Sequence, residues 1–242
     1  MIALAALALA VQQTAMDAER AFAAMAQTEG QNRAFLHWSS PQAIMFAPEA
    51  TNVHQLLEGR PNRRTGLMWW PGRSWVSCDG GLAINTGPSI RRGGTGTFTT
   101  VWQRRPDGQW RWLLDHGRAT PRAVPASDSP PVAQASCSGR RTAARAPEPL
   151  VGRVAAADVL TGARADLLVQ EEGAMPAPRP SAGLAFEAGP VVAEGGSDDR
   201  TLLWRAQALT GGEAGARLFT LHIWDGRAYR LALMEVTGLR SQ

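Results

Sequence analysis

Two alternating strands that meet at a tight turn constrain the fold of this chain more than any other feature. The segment has the sequence Gly-Thr-Phe-Thr-Thr-Val-Trp-Gln-Arg-Arg-Pro-Asp-Gly-Gln-Trp-Arg-Trp-Leu-Leu-Asp-His-Gly, from Gly96 to Gly117. Threonine and large apolar residues favour a pleated, half-buried surface, and Gly108 in the turn can adopt the positive φ that a tight connection needs. The segment therefore predicts an antiparallel β-hairpin.

The motifs of this hairpin also resemble those of a known family. One strand ends in Val-Trp, the turn continues as Asp-Gly-x-Trp, and the second strand closes with Leu-Asp-x-Gly. They resemble the last hairpin of the nuclear-transport-factor-two-like superfamily, and within it most closely a family of exported proteins known as a domain of unknown function. The resemblance covers about residues 15–117 and implies an α+β fold, a cone formed by a long helix on a curved antiparallel sheet. SnoaL-like cyclases and ketosteroid isomerases share this fold, so it does not name a reaction.

The elements before the hairpin agree with that order. Apolar residues and alanines from Met16 to Trp38 predict one long amphipathic helix, interrupted near Gly30. Residues 43–48 predict a short strand that stops at a proline, and residues 53–58 predict a short helix. Two more strands are predicted at 75–78 and 82–86. A helix followed by antiparallel strands is the order that the cone requires.

Length and composition favour two small domains. With 242 residues and 44% hydrophobic content, the chain can bury a sizeable core. Residues 118–150 are rich in Ala, Pro, Ser and Arg and contain almost no large apolar residue, which predicts a linker. We therefore divide the chain into a signal peptide at 1–10, the cone domain at 11–117, the linker at 118–150 and a second α+β domain at 151–242.

The first ten residues have the pattern of an export signal. A short apolar run ends in Ala8-Leu9-Ala10, the small-x-small form that signal peptidase cleaves. The alternative is that this run forms the first turns of a helix that continues to Met25. No other segment approaches the ~20 apolar residues of a membrane span. The sequence thus predicts a periplasmic or secreted protein without a membrane span.

The second domain contains a hairpin that looks like a copy of the first. A helix is predicted from Val154 to Val169, and strands at 183–186, 191–193, 201–209, 217–224 and 228–236. The last two strands repeat Phe-Thr, Trp, Asp-Gly, an aromatic residue two places on, and a closing acid. One interpretation is a degenerate second copy of the cone, packed on the first as a dimer partner within one chain. The alternative is an unrelated β-rich extension, because Asp-Gly turns between alternating strands are common.

Charge and residue usage exclude several function classes. All 25 basic residues are Arg, so Schiff-base chemistry and a lysine-containing phosphate loop are excluded. The first 150 residues hold 16 Arg against 10 acids. They contain no block of five or more like charges, so nucleic-acid binding is not predicted. The four His residues are far apart, no Cys-x-x-Cys occurs, and neither a metal site nor a cofactor is predicted. The only Tyr is Tyr229, so the isomerase oxyanion apparatus has no counterpart in the first domain.

Aromatic residues and isolated histidines are the candidate site of the first domain. Six of the nine Trp residues lie between Trp69 and Trp112 and either line a pocket or form an ordinary core. Strict alternation places Trp110, Trp112, Leu114 and His116 on one face of the strand. The candidate ligand-binding residues are Trp69, Trp70, Trp102, Trp110, Trp112, His37 and His116.

For catalysis, the candidate acid–base groups are His116, Asp115 and His37. Each has a structural alternative: a histidine among tryptophans is commonly a packed, hydrogen-bonded core residue, and Asp115 could simply pair with Arg111. The primary hypothesis is a non-catalytic module that binds a small apolar or aromatic molecule. The second is a small isomerase, cyclase or hydratase. The chain is expected to be either a monomer with an internal pseudo-dimer or a homodimer.

The two cysteines are expected to form a disulfide. An exported chain with two Cys residues is more often bridged than reduced, and Cys78 on a strand would then hold Cys137 in the linker. The alternative is a pair of unreactive thiols.

Overall fold

The first half of the chain is a helical layer packed on one face of an eight-stranded sheet. The computed structural model describes residues 13–62, 66–139 and 145–239, so the predicted signal peptide lies outside the described residues. The elements of the first half are α1 Ala15–Glu29, α2 Gln31–Trp38, β1 Ser39–Phe46, β2 Ala50–Asn52, α3 Val53–Leu57, β3 Met68–Trp69, β4 Arg73–Val76, β5 Leu82–Arg91, β6 Gly94–Arg104, β7 Trp110–Thr120 and β8 Val132–Gln134.

Local sequence signals fix the helices. Thr14 caps α1 through a capping box with Asp17, in which each side chain bonds the other residue's backbone N–H. Gly30 separates α1 from α2 and has a φ of 101°, which an L side chain rarely adopts. The predicted interruption of one long helix near Gly30 is therefore confirmed. Asn52 caps α3 by accepting hydrogen bonds from two backbone N–H groups.

The sheet of the first half has the order β2-β1-β7-β6-β5-β4-β8, with β3 paired to β5. Strands β4 to β7 are antiparallel neighbours in chain order, and β1 lies parallel to β7. The predicted hairpin is β6–β7, and Gly108 in its turn has a φ of 83°. The α+β class predicted for this half is confirmed.

The second half is a six-stranded sheet with a single short helix among its described residues. Its elements are β9 Gly152–Ala155, α4 Ala156–Val159, β10 Leu168–Glu171, β11 Ala185–Gly196, β12 Leu202–Thr210, β13 Arg217–Trp224 and β14 Tyr229–Thr237. The helix predicted from Val154 to Val169 is wrong. Its first residues pair with β11 and its last residues with β14, so strand pairing overrides the helical propensity of its alanines.

The two sheets pack face to face around a shared apolar core. The first half contributes Trp75, Leu82, Ile84, Val101 and Leu114, and the second contributes Leu202, Trp204, Phe219, Leu221 and Ile223. The segment between them follows both sheets. Its strand β8 pairs with β4, and two residues further on, Ser136 donates its backbone N–H to the Trp224 carbonyl at 2.9 Å. The predicted linker therefore holds an ordered strand that extends the first sheet.

Five neighbouring strands have the same order in both sheets, β1-β7-β6-β5-β4 in the first and β10-β14-β13-β12-β11 in the second. In the second sheet β10 lies parallel to β14, as β1 lies parallel to β7 in the first. Strands β11 to β14 are antiparallel neighbours in chain order, as β4 to β7 are in the first sheet. Each sheet also has one register shift in its last hairpin, after Val101 in the first and after Leu221 in the second. These positions are 120 residues apart.

The turns that precede β5 and β12 correspond as well. Ser77 donates to Asp79 in one turn and Ser197 donates to Asp199 in the other. The two turns then bind each other: the Asp79 N–H donates to Asp199 Oδ2 at 2.9 Å, and the Asp199 N–H donates to Asp79 Oδ2 at 3.3 Å. This reciprocal exchange is the pattern of a local two-fold axis.

Candidate ligand-binding site

The helices of the first half close one end of the cone with aromatic residues. Phe22 on α1 lies between the rings of Phe35, Trp69, Trp102 and Trp112, with ring centroids 4.9 to 6.3 Å apart. Offset and edge-on contacts of this kind contribute about 0.5–1.5 kcal/mol each beyond the area they bury. This cluster fixes α1 on the sheet.

A fully buried carboxyl group connects the same helix to the sheet through hydrogen bonds. Glu19 on α1 is 0% exposed and accepts hydrogen bonds from the indole N–H groups of Trp69 at 2.8 Å and Trp102 at 2.6 Å. Asn85 on β5 donates to its second oxygen at 3.3 Å. Burial raises the pKa of Glu19 to about 8, and the negative charge of Asp115 adds to this, while the hydrogen bonds oppose it. Because no solvent reaches it, Glu19 is a structural group.

A β-bulge decides which side chains of β7 face the cone. Val101 pairs with Leu114 and Trp102 pairs with Trp112, so Leu113 is an extra residue in the ladder. Trp112 lies in the cone core, whereas Leu114 lies in the core between the sheets. The predicted shared face of Trp110, Trp112, Leu114 and His116 is therefore wrong. Beyond the bulge the faces are exchanged, and Asp115 points into the cone.

The cone contains a cavity of about 390 Å³ next to Asp115. A volume of this size is within the range of small-molecule sites, about 300–1,000 Å³. Apolar side chains of α2, β1, β3, β6 and the segment before β3 form part of its walls, and polar side chains of α2 and of β5 to β7 form the rest. The cavity is lined by Gln31, Phe35, Met45, Phe46, Leu67, Trp69, Ser89, Arg91, Gly96, Thr97, Phe98, Asp115, His116, Gly117 and Arg118.

Asp115 is the carboxyl group of this cavity. The hydroxyl of Thr100 on β6 donates to its Oδ2 at 2.8 Å, whereas Arg111 bonds Gln109 and the Trp110 carbonyl. The alternative pairing of Asp115 with Arg111 is therefore wrong. Burial raises the pKa of Asp115 to about 6, and the Thr100 hydrogen bond opposes the shift. A carboxyl group that titrates near neutral pH can accept or donate a proton under physiological conditions.

His116 faces the second sheet, on the opposite side of β7 from the cone interior. Its Nε2 lies 2.8 Å from Glu235 Oε2 on β14, and Arg217 Nε donates to its Nδ1 at 2.9 Å. Since a guanidinium can only donate, Nδ1 must accept, and the ring is the neutral tautomer with its proton on Nε2, the atom that lies next to Glu235. Burial lowers the pKa of His116 to about 4, although Glu235 acts in the opposite direction. His116 is thus a packed, hydrogen-bonded interface residue.

Glu235 is the centre of this interface network. Its Oε1 lies 2.6 Å from Arg118 Nη2 and accepts a hydrogen bond from Thr99 at 2.6 Å. Burial alone would raise the pKa of Glu235, but Arg118 and His116 outweigh it and lower the pKa to about 2. The network therefore holds an ionised carboxylate between the two sheets. Its side chains are almost fully buried, and two of its members, His116 and Arg118, also lie at the cavity wall.

The other sequence candidates are divided between wall, core and surface. Trp69 lines the cavity. Trp102, Trp110 and Trp112 are buried in the cone core, so they support the wall from behind. Trp70 is 40% exposed beside α1, and His37 is exposed near the end of α2, where its ring contacts Trp38. Of the predicted set, Trp69, Asp115 and His116 are among the residues that line the cavity, and the His116 ring lies against Glu235 of the second sheet.

Sequence reasoning did not single out several residues that line the cavity. Phe35 and Met45 were assigned to the helix and the first strand, and Phe98 belongs to the first strand of the hairpin. Ser89 and Arg91 lie near the end of β5, where alternation from the cone-facing Asn85 puts them on the cone side. That alternation was the available signal for both residues.

The remaining predictions concern metals, membranes and the cysteines. Among the described residues, no group of three His, Cys, Asp or Glu could hold a metal ion. Within the same ranges, no helix has the length and apolar character of a membrane span. Cys78 and Cys137 form a disulfide with Cα atoms 5.1 Å apart, so the predicted bridge is confirmed. It fixes the segment between the two halves to the first sheet.

Comparison with known proteins gives matches of structure alone. No family model matches the chain, and no curated protein does. The chain is similar to an NTF-2-like protein of unknown function from Shewanella oneidensis MR-1, with 16% identity, a TM-score of 0.34, and coverage of 42% of this chain and 96% of that one. It is also similar to a nuclear transport factor 2-like superfamily protein from Salmonella enterica serovar Typhimurium LT2, with 16% identity, a TM-score of 0.33, and coverage of 47% and 90%.

Proposed function

We propose that the first half of the chain binds a small, flat, apolar molecule in the cavity of the cone, without a chemical step. The cavity of about 390 Å³ beside Phe35, Trp69 and Phe98, with Asp115 as a polar contact, is the observation that carries this proposal. Aromatic and apolar side chains that line a cavity together with polar groups are typical of sites that bind such molecules. The Thr100 hydroxyl already donates to Oδ2 of Asp115. The other carboxylate oxygen, Oδ1, would therefore orient the molecule through a hydrogen bond.

We also propose that the second half is a degenerate copy of the first and serves as its built-in partner. The common strand order, the equivalent bulges and the reciprocal bonds between Asp79 and Asp199 support this proposal. By register, Met234 pairs with Thr220 as Asp115 pairs with Thr100, so the copy has no carboxyl group at this position. The binding site would then exist once per chain, and we expect the protein to be a monomer.

Filling the cavity tests the binding proposal. Met45→Trp should reduce the affinity for 1-naphthaleneacetamide, a neutral flat probe, by about tenfold or more, since a loss of ~1.4 kcal/mol corresponds to one decade. The physical reason is that Met45 lines the cavity and an indole there would occupy the space of the probe. Isothermal titration calorimetry measures the affinity.

The matched control is Met68→Trp, which adds the same side chain at a residue that is 43% exposed and outside the cavity lining. Its affinity should equal that of the wild type. Equal weakening by both variants, or no effect of Met45→Trp, would argue against this binding site.

Acid–base catalysis in the same cavity is the second candidate function. One observation favours it: Asp115 faces the cavity, and its pKa of about 6 suits proton exchange near neutral pH. Two groups on neighbouring elements face Asp115. Glu19 on α1 is an ionisable group that interacts with its charge, and the Thr100 hydroxyl on β6 donates a hydrogen bond to it. A general base acts in its ionised form, so activity would be lost as the pH falls below about 6.

Asp115→Asn distinguishes the two candidate functions. If Asp115 is a general base, the variant should lose about 10²–10⁴-fold in turnover of a cavity substrate while it still binds the molecule. Steady-state kinetics from pH 4 to 8 would show the low-pH limb in the wild type. A turnover that Asp115→Asn leaves unchanged would eliminate the catalytic reading.

We further propose that the protein is exported. The disulfide supports this, because structural disulfides persist mainly in oxidising compartments such as the periplasm. Cleavage after Ala10, as the sequence predicts, would yield mature protein that begins at Val11.

A further inference from the structure

The mouth of the cavity contains a cationic side chain, Arg91, that forms no ion pair with any described residue. Arg91 and Ser89 lie on the cone side of β5, and both line the cavity. Neither side chain forms a hydrogen bond or an ion pair with another described residue. The neighbouring Arg92 is exposed and likewise unpaired within the described ranges, but only Arg91 of the two lines the cavity. The guanidinium of Arg91 is therefore available to a bound molecule.

The other charged lining residues leave this cation uncompensated. His116 and Arg118 turn their side chains to the second sheet, where Glu235 pairs with both. Asp115 lies deeper in the cone, beside Thr100. Its partner Thr100 is six residues along β6 from Gly94, which pairs with Arg91, a distance of roughly 20 Å along the strand. The two charged groups therefore mark opposite ends of the cavity.

We infer that the cavity selects molecules that carry a single carboxylate on a flat apolar body, with the carboxylate held at the mouth by Arg91 and Ser89. This inference rests on the proposed binding function and specifies its ligand class. The planar guanidinium of Arg91 matches a carboxylate with two parallel N–H donors, and the Ser89 hydroxyl supplies a third. The body would lie between Phe35, Trp69 and Phe98.

A carboxylate fits this mouth better than a phosphate. A phosphate monoester brings nearly two negative charges at neutral pH, against the single guanidinium that is unpaired among the described lining residues. A carboxylate brings one charge, which Arg91 can neutralise.

A matched pair of probes tests the inference. 1-Naphthaleneacetate and 1-naphthaleneacetamide have the same ring system and nearly the same size, but only the first is an anion at pH 7.5. Calorimetry on the full chain should show that the acetate binds about tenfold more tightly, as expected for one charge-assisted hydrogen-bonded contact. The preference should be lost in Arg91→Gln and partly restored in Arg91→Lys.

The control is Arg92→Gln, which removes the same charge from the next residue, outside the cavity lining. It should retain the preference for the acetate. If the two probes bind the wild type equally and Met45→Trp weakens both, the binding function stands and the carboxylate inference is overturned. If neither probe binds the wild type, the proposed function fails together with the inference. A preference lost equally in Arg91→Gln and Arg92→Gln would also overturn the inference, since it would reflect the general positive potential.

Discussion

Glu235→Ala is expected to destabilise the protein by about 3–5 kcal/mol, the usual effect of removing one partner from a buried ion pair. Glu235 is 0% exposed and bonds Arg118, His116 and Thr99 across the interface between the two sheets. Without it, the charge of Arg118 stays buried and uncompensated. Urea unfolding followed by circular dichroism measures the change.

The control for this substitution is Glu194→Ala. Glu194 pairs with Arg205 at 2.8 Å, but its side chain is 53% exposed, and a pair of this kind contributes about 0–1 kcal/mol. A loss for Glu235→Ala no larger than that for Glu194→Ala would show that the network does not hold the two sheets together.

The pH dependence of stability gives an independent check on the same network. Glu235 has a pKa of about 2 in the folded protein against an ordinary 4.5, so its contribution is complete above pH 4.5 and is lost as the pH falls toward 2. His116 has a folded pKa of about 4 against an ordinary 6.5, so its contribution is lost as the pH falls from 6.5 to 4. Glu235→Ala should lose stability less steeply than the wild type below pH 4.5.

Removal of the disulfide should cost about 4 kcal/mol on the chain-entropy model, in which the cost depends on the length of the closed loop. Cys78 and Cys137 are 59 residues apart, and the bridge fixes the segment that crosses from one sheet to the other. The double variant Cys78→Ser and Cys137→Ser should therefore unfold at lower urea concentration than the oxidised wild type. Addition of reductant should bring the wild type to the same value.

The reductant has an internal control, because it should leave the double variant unchanged. Since the bridge acts on the unfolded chain and the segment keeps its pairing with β4, the folded spectrum should not differ between variants. Equal stability of the oxidised wild type and the double variant would contradict a structural role for the bridge.

Local signals in the sequence were sufficient for much of the first half of the fold. The break at Gly30, the end of the strand before Pro48 and the Pro-Asp-Gly turn each act over a few residues, and the structure has an element boundary at each. The disulfide followed from the cysteine count and the predicted export. Such features need no information about distant parts of the chain.

The site depended on contacts that are distant in sequence. The bulge at Leu113 reverses the faces of β7, and strict alternation therefore assigned His116 to the cone in place of Asp115. The partner of His116, Glu235, is 119 residues away on another sheet. The alanines in the segment 154–169 favour a helix locally, but the start of the segment pairs with β11 and its end pairs with β14. Registers and pairings of this kind are set by the whole fold.

The central claim is that the cone of the first half is a ligand-binding site, and the indole N–H signal of Trp69 tests it most directly. Trp69 lines the cavity and donates its indole N–H to Glu19, whereas Trp75 and Trp204 lie in the core between the sheets. In ¹⁵N-labelled protein, with Trp69 assigned by Trp69→Phe, titration with 1-naphthaleneacetate should shift the Trp69 signal saturably and leave those of Trp75 and Trp204 in place. A saturable shift of Trp75 or Trp204 with Trp69 unchanged, or no saturable shift at all, would contradict the claim.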